Sequence, residues 1–345
     1  MRSRIGTVAF VASIAAFCGE AFAEKLPPTI TLGTSQTGTL QHSVATGLAK
    51  VASAKIGSTV VVQPFAGATT ALPLVESAEL DLGLAPSVDV AMSFYGPDKL
   101  KIGGMNPYPR APGLRLVMAG SPLIASLIVK KDSPIKAAAD LKGRRIAGEF
   151  RASLGAYINT YVHLTSANLT WKDVTVVPFS GLNESLDALM QGRIDATVFG
   201  VGGARVREAD AQVGVRWASS DCSPEGTERI RKTAPGYYTI RLKAGSAPAV
   251  HEDLCTTAYS LYIYAGAKAR DDVVTAVLKA LWEDEEKLAP LHPTLRQWKR
   301  ETAVDKAPTA PYHAAAIAFY KSVGAWSAEA ESEHKRLLAF HGASR

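Results

Sequence analysis

The 345-residue chain has few of the residue patterns that carry most enzymatic chemistry. It has three cysteines, none in a Cys-x-x-Cys pair. It has no Gly-x-x-x-x-Gly-Lys-Ser/Thr loop for a nucleotide's phosphates, no His-Glu-x-x-His zinc helix and no Gly-x-Ser-x-Gly elbow for an activated serine. The histidines, at 42, 163, 251, 292, 313, 334 and 341, stand alone without metal-ligand spacing and read as surface or helix-cap residues. No catalytic residue, metal ligand or cofactor is therefore assigned. The 38 Lys and Arg against 32 Asp and Glu leave a net charge of +6, but the charges are scattered, with no basic block or aromatic-basic array. That pattern argues against a nucleic-acid partner. Beyond the N-terminal segment, no apolar run is long enough to cross a bilayer as a helix.

The first residues read as an address. Arg2 and Arg4 precede an apolar run over 8–17, and Ala21-Phe22-Ala23 offers small residues at the positions a signal peptidase reads. Residues 1–23 are expected to be a cleavable leader, cut after Ala23, which directs the chain to the periplasm. Cys18 follows Phe17 rather than a small residue, so it does not read as a lipoprotein cysteine. Cleavage would lower the net charge from +6 to +5 and leave Cys222 and Cys255. In an oxidising compartment these either bridge one another or serve as separate small core residues.

The remaining chain alternates short apolar runs with helical patterns. Strands are expected at 29–32, 59–63 and 81–85, with helices at 40–56, 69–78 and from 88 onward. The order βαβαβα favours a parallel or mixed sheet with helices on both faces. A Gly- and Pro-rich loop over 95–113 breaks the rhythm. Strands at 114–119 and 124–130 then flank Gly120-Ser121-Pro122, read as a turn that crosses between domains. Ser133-Pro134 resembles a helix start. A second series follows, with strands at 144–147, 174–178, 194–199 and 213–218. Its helices fall at 153–167 and 183–191, the latter closed by Gly192. A late strand at 256–264 and helices at 271–288, 312–323 and 328–340 complete the pattern. The late strand suggests a return to the first domain. The expected division is one lobe of 24–120 plus 239–345 and a second of 121–238, with a ligand cleft between two α/β lobes.

The candidate site residues sit at strand-to-helix junctions, which share the carboxyl edge of an open α/β sheet. The first junction holds Thr34, Ser35, Thr37, Gly38, Thr39 and, just beyond, Gln41. The second holds Thr69 and Thr70. The third, Ala85-Pro86-Ser87-Val88-Asp89, contributes Ser87. In the second series Arg151, Ala152 and Ser153 open one helix, and Ser180 and Asn183 the next. Hydroxyls and open helix N-terminal amides can receive an anion, though Ser, Thr and Asp there also serve as plain N-caps. Arg151 opposes the helix dipole. It either grips an anionic ligand or stays solvated or paired with Glu149. Tyr238, beside Tyr237 at the expected return crossing, either closes over a ligand or packs the hinge.

Taken in order, these segments resemble the TAXI-type solute-binding proteins of tripartite ATP-independent periplasmic (TRAP) transporters over nearly the whole chain after the leader. The resemblance lies in residues 30–39 (Ile-Thr-Leu-Gly-Thr-Ser-Gln-Thr-Gly-Thr), the Gly67-Ala68-Thr69-Thr70 junction, and Glu79-Leu80-Asp81-Leu82. Asp140-Leu141-Lys142-Gly143-Arg144 is similar too, as are Gln191-Gly192-Arg193-Ile194-Asp195, Pro311-Tyr312-His313 and Phe319-Tyr320-Lys321. Leu40-Gln41-His42 stands where that family carries tyrosines, and Phe150-Arg151-Ala152-Ser153 where it has a Gly-Ser-Gly-Thr-like turn. The resemblance implies a type II-like, two-lobed periplasmic binding protein. It also implies a monomer that takes an amino acid or organic acid and hands it to TRAP permease subunits. A receptor of the same fold that feeds a sensor stays open, as does, less well supported, a periplasmic enzyme.

Overall fold

The computed structural model describes residues 25–151, 153–234, 237–305 and 308–342. The leader expected over 1–23, like Ala152, lies outside the described residues.

The first elements follow the apolar pattern closely. They are β1 (Thr29–Thr34), α1 (Leu40–Ile56), β2 (Thr59–Pro64), α2 (Ala68–Glu76), β3 (Leu82–Pro86) and α3 (Ser87–Tyr95). Thr39 starts α1 as N-cap, its Oγ1 accepting the His42 amide at 3.2 Å, and Gly57 ends it in the left-handed conformation. β1 lies in parallel between β2 and β3.

Two long antiparallel strands then organise the molecule. β4 (Leu114–Lys130) and β10 (Leu254–Gly266) pair along most of their lengths. The C-terminal half of β10 also pairs with β3, and its N-terminal half with β9 (Tyr238–Leu242). The far half of β4 pairs with β7 (Thr197–Gly200) and β8 (Val215–Ala218). The sheet order is therefore β2-β1-β3-β10-β4-β7, with β8 and β9 joined at the far ends. A smaller parallel pair, β5 (Arg145–Gly148) and β6 (Thr175–Pro178), attaches through an Ile146–Ala196 bridge.

The turn expected at Gly120-Ser121-Pro122 is not a turn: β4 runs straight through it. The register with β10 slips there, with Gly120 and Ser121 facing Leu261 alone between the Ala119–Tyr262 and Pro122–Ser260 pairs. The tripeptide is thus a bulge, where a residue without an N–H is tolerated. The indole of Trp298 covers Gly120 so closely that a Cβ would stand 2.1 Å from it, which only glycine allows.

The helix expected from Ser133-Pro134 also does not form. Ser133 Oγ accepts the Ile135 amide at 3.2 Å in a local turn. The buried guanidinium of Arg216 donates to the carbonyls of Lys131, Ser133 and Ile135 at 3.1, 2.8 and 2.6 Å. Those carbonyls are held away from helical partners, and only a short 3₁₀ turn follows at Ala138–Leu141. The later helices are α4 (Leu154–Ser166), α5 (Leu182–Met190), α6 (Ala204–Val213), α7 (Pro224–Thr233), α8 (Asp271–Glu283), α9 (Ala314–Ser322) and α10 (Ala328–Gly342). The helix expected over 271–288 ends at Glu283, and a 3₁₀ turn continues it.

Two histidines are helix caps as expected: His292 Nδ1 accepts the Thr294 amide and His313 Nδ1 the Ala315 amide. His163 is not a surface residue. It is fully buried on α4, its Nδ1 2.6 Å from Ser220 Oγ, and burial depresses its pKa to about 4.

Cys222, just before α7, is disulfide-bonded to Cys255 on β10, with the Cα atoms 6.1 Å apart. The bridge closes a loop across 33 positions, which restricts the unfolded chain and contributes about 3–4 kcal/mol by loop-closure entropy. Replacing Cys255 with Ser is expected to lower the unfolding free energy by about that amount in urea titration. Reductant should then shift the wild-type midpoint and leave the variant's unchanged.

Candidate functional site

The carboxyl edge of the sheet opens onto a narrow cleft. One wall is built from Ser35, Thr39 and Gln41 at the β1–α1 junction, Ala68 at the start of α2, and Pro86 and Asp89 around the start of α3. The opposite wall is Ser153, Gly155, Ala156 and Asn159 on α4, Leu182 on α5 and Val198 to Gly200 on β7. Leu123 and Ala125 of β4 and Tyr259 of β10 form the floor.

Of the residues expected from sequence, Ser35, Thr39, Gln41 and Ser153 come together in this lining. Ser153 is the N-cap of α4, but its side chain makes no capping bond. The Ala156 and Tyr157 amides of α4 instead bond the Ser153 carbonyl, at 3.1 and 3.4 Å.

A second group closes one side of the cleft instead of lining it. Gln36 Oε1 accepts the Asn183 amide in the first turn of α5 at 3.2 Å, and Asn183 Nδ2 donates to the Thr37 carbonyl at 3.1 Å. Gly38, at φ 85°, offers its carbonyl to the Arg205 amide at 3.2 Å and lies against the Arg205 side chain. Gly181 leaves room for the Gln36 amide, since a Cβ there would stand 2.9 Å from Gln36 Nε2. The β1–α1 turn is thus clasped onto the N-terminus of α5.

The remaining candidates lie elsewhere. Thr34 is buried behind the lining. Thr69 is half-buried on α2, and Thr70 is exposed there. Ser87 is buried, its carbonyl accepting the Thr309 hydroxyl at 2.8 Å. Ser180 is exposed. Arg151 is exposed and outside the lining; among the described residues it forms no ion pair, with Glu149 or any other acid. Ala152 lies outside the described residues. Tyr238 is 42% exposed at the start of β9, while its neighbour Tyr237 is buried.

The residue that the sequence reading passes over is Asp89. It lies on α3, whose residues 87–94 are all buried, and is itself 3% exposed. Its carboxylate rests on the first turn of α4: a Cβ on Gly155 would stand 3.0 Å from Oδ2 and 3.2 Å from Oδ1. Tyr108 lies beside it, and for Tyr108, Tyr237, Tyr259 and Tyr264, all buried, the Asp89 charge adds to burial in raising the hydroxyl pKa. Asn159 ties two of them together. It donates to the Tyr259 hydroxyl at 3.0 Å and accepts from the Tyr237 hydroxyl at 3.2 Å. Asp89 Oδ1 has no hydrogen-bond partner among the described residues. The Tyr108 hydroxyl lies close enough to favour the charged form slightly, but it makes no bond of good geometry. Burial dominates and raises the Asp89 pKa to about 7. The available signal was an acid in the otherwise apolar run Ser-Val-Asp-Val-Ala-Met at 87–92. Among the described residues no group of His, Cys, Asp and Glu could hold a metal ion, and no helix is long and apolar enough to cross a membrane.

The chain matches the NMT1-like family over residues 32–324. It belongs to that family. Among solved structures, the periplasmic binding protein BugD is 14% identical, with a TM-score of 0.53 over 91% of this chain and 97% of that one. A structure titled as a periplasmic transporter is likewise 14% identical, with a TM-score of 0.53 over 91% and 96%. The aliphatic sulphonate binding protein SsuA from Escherichia coli is 18% identical, with a TM-score of 0.46 over 86% and 91%. The NMT1-like chain thus has the mixed α/β fold of the two-lobed periplasmic binding proteins.

An ionised carboxylate buried without a cation destabilises the protein that carries it. Because the folded-state pKa of Asp89 lies above the ordinary value of 3.8, its contribution favours folding at low pH and is lost as pH rises through about 7. Asp89→Asn is therefore expected to stabilise the ligand-free protein at pH 8, by up to about 4 kcal/mol at 1.4 kcal/mol per pKa unit. The gain should shrink as pH falls toward 4. Urea titrations of both proteins at pH 8, 6 and 4 check this; a destabilised variant at pH 8 would contradict it.

Proposed function

We propose that this NMT1-like protein is an extracytoplasmic solute-binding protein. In this reading it captures a small carboxylate-bearing ligand, an amino acid or organic acid, and presents it to the membrane permease subunits of a TRAP-type transporter. The observation that carries the reading is the cleft itself. Its walls come from two separated stretches of chain, and the hydroxyl residues Ser35, Thr39 and Ser153 line it. Such groups receive a carboxylate well. We assign residues 24–120 with 239–345 to one lobe and 121–238 to the other, with the leader removed after Ala23. On this division the Gln36–Asn183 and Thr37–Asn183 bonds join the lobes and belong to the closed form. The TRAP assignment is supported by the order of the Asp140-Leu141-Lys142-Gly143, Gln191-Gly192-Arg193 and Pro311-Tyr312-His313 segments.

A thermal-shift screen of the mature chain against amino acids, dicarboxylates, keto acids and aromatic acids tests the reading. A ligand that binds only the folded state raises the melting temperature. One chemical class is expected to do so, and a screen in which none does would overturn the reading. With that ligand, Gln36→Ala should weaken binding about two- to tenfold in calorimetry, since it removes a net hydrogen bond of about 0.5–1.5 kcal/mol made on closure. Arg151→Ala should leave affinity within about twofold, because an exposed side chain outside the lining adds little.

A further inference from the structure

We propose that Asp89 is a ligand-binding residue that selects solutes carrying a cationic nitrogen, so that the cleft takes a small zwitterion of the amino-acid class in preference to an amine-free organic acid. The inference rests on the solute-binding reading above and narrows it.

Asp89 lines the cleft, is almost fully buried, and has an oxygen with no partner among the described residues. A buried charge is normally paired. Here the protein brings the Tyr108 hydroxyl close to Asp89 but no cation, and α4 presents Gly155. Gly155 admits the carboxylate where any larger residue would push it back, since a Cβ would come within 3.0 Å.

A protonated Asp89 that donates to a ligand carboxylate fits the surroundings less well. The buried Tyr108 hydroxyl beside Asp89 has no acceptor of good geometry, and a carboxylic acid there would present another donor where an acceptor is wanted. A ligand ammonium instead keeps Asp89 ionised: with lone pairs on two oxygens and no proton of its own, the carboxylate accepts the ammonium N–H groups and keeps capacity for the neighbouring Tyr108 hydroxyl. Ser35 and Ser153 line the same cleft, and their hydroxyls suit the carboxylate end of such a ligand.

Calorimetry on the mature protein with matched pairs tests this. The probes are the twenty common amino acids and, for each that binds, the 2-hydroxy acid with the same side chain. Wild type is expected to bind the amine member at least tenfold more tightly. Asp89→Asn should weaken the amine member about 10- to 100-fold, as for a charged hydrogen bond, and change the hydroxy acid at most about twofold. The comparison within wild type needs no variant, and circular dichroism with a melting curve confirms that the variant folds. Equal binding within a pair, or a preference that survives Asp89→Asn, overturns the inference. Binding only to amine-free acids overturns it and leaves the solute-binding reading standing. Failure of the protein to bind any compound in the acid screen or the amino-acid panel defeats that reading and the inference together.

Discussion

The antiparallel pairing of β4 with β10 is the constraint on which the rest of the structure depends. One half of the pair carries β3 and, through it, β1 and β2, while the other carries β7, β8 and β9. Elements on both sides of the cleft therefore hang from the same two strands, and the floor residues Leu123, Ala125 and Tyr259 lie on those strands. The bulge at Gly120-Ser121 falls where the pair passes from one set of partners toward the other. Bulges bend strands and increase local twist, and Trp298 packed on Gly120 holds the bend in place. A break in this pairing would separate the two walls even if each remained folded.

Against that rigid frame the cleft holds an unrelieved cost. Asp89 is buried without a counter-charge in a protein whose other ion pairs are mostly exposed and weak. Core packing alone gives no reason for an acid on α3, because its neighbours Val88, Val90 and Met92 show what the core accepts there. Sites that bind or react commonly retain such locally unfavourable groups, and removing them raises stability at the expense of function. The Tyr108 hydroxyl softens the cost without cancelling it, since a neutral hydroxyl solvates an anion less well than a cation does.

Much of the fold is legible in the sequence because local and tertiary preferences agree. From β1 to α3 the apolar periodicity, the Thr39 cap and the Gly57 terminator point to the elements the chain forms. Legibility fails where a distant partner decides. Gly120-Ser121-Pro122 has turn chemistry, but β10 pairs across it. Ser133-Pro134 has helix-start chemistry, but Arg216, 83 positions away from Ser133, takes the carbonyls. Helices α6 and α7 bury only Val206 and Ala209, and Gly226 and Ile230, so they leave almost no apolar stripe to read. The junction residues show the same limit. Small hydroxyl residues mark the right edge of the sheet, yet only the packing shows that Ser35, Thr39, Gln41 and Ser153 face inward while Thr70, Arg151 and Ser180 face out. Asp89 sits in a junction the sequence does mark, but nothing local says that an acid there is buried.

His163 and Asp89 also push the acid response of the ligand-free protein in opposite directions. Asp89 has a folded-state pKa of about 7 against an ordinary 3.8, so between those values a fall in pH favours the folded state. His163 has a folded-state pKa of about 4 against an ordinary 6.5, so over nearly the same range a fall in pH favours the unfolded state, which binds the proton more readily. Each amounts to roughly 1.4 kcal/mol per pH unit where it acts fully, and between about pH 4 and 6.5 the two largely offset one another. A cation paired with Asp89 would lower its pKa and remove one side of that balance. The occupied protein would then lose the Asp89 contribution that opposes His163 and be more sensitive to acidification than the empty protein. Through this balance, a charge at the cleft and a neutral imidazole in the core behind it would link occupancy to acid stability with no contact between the two groups.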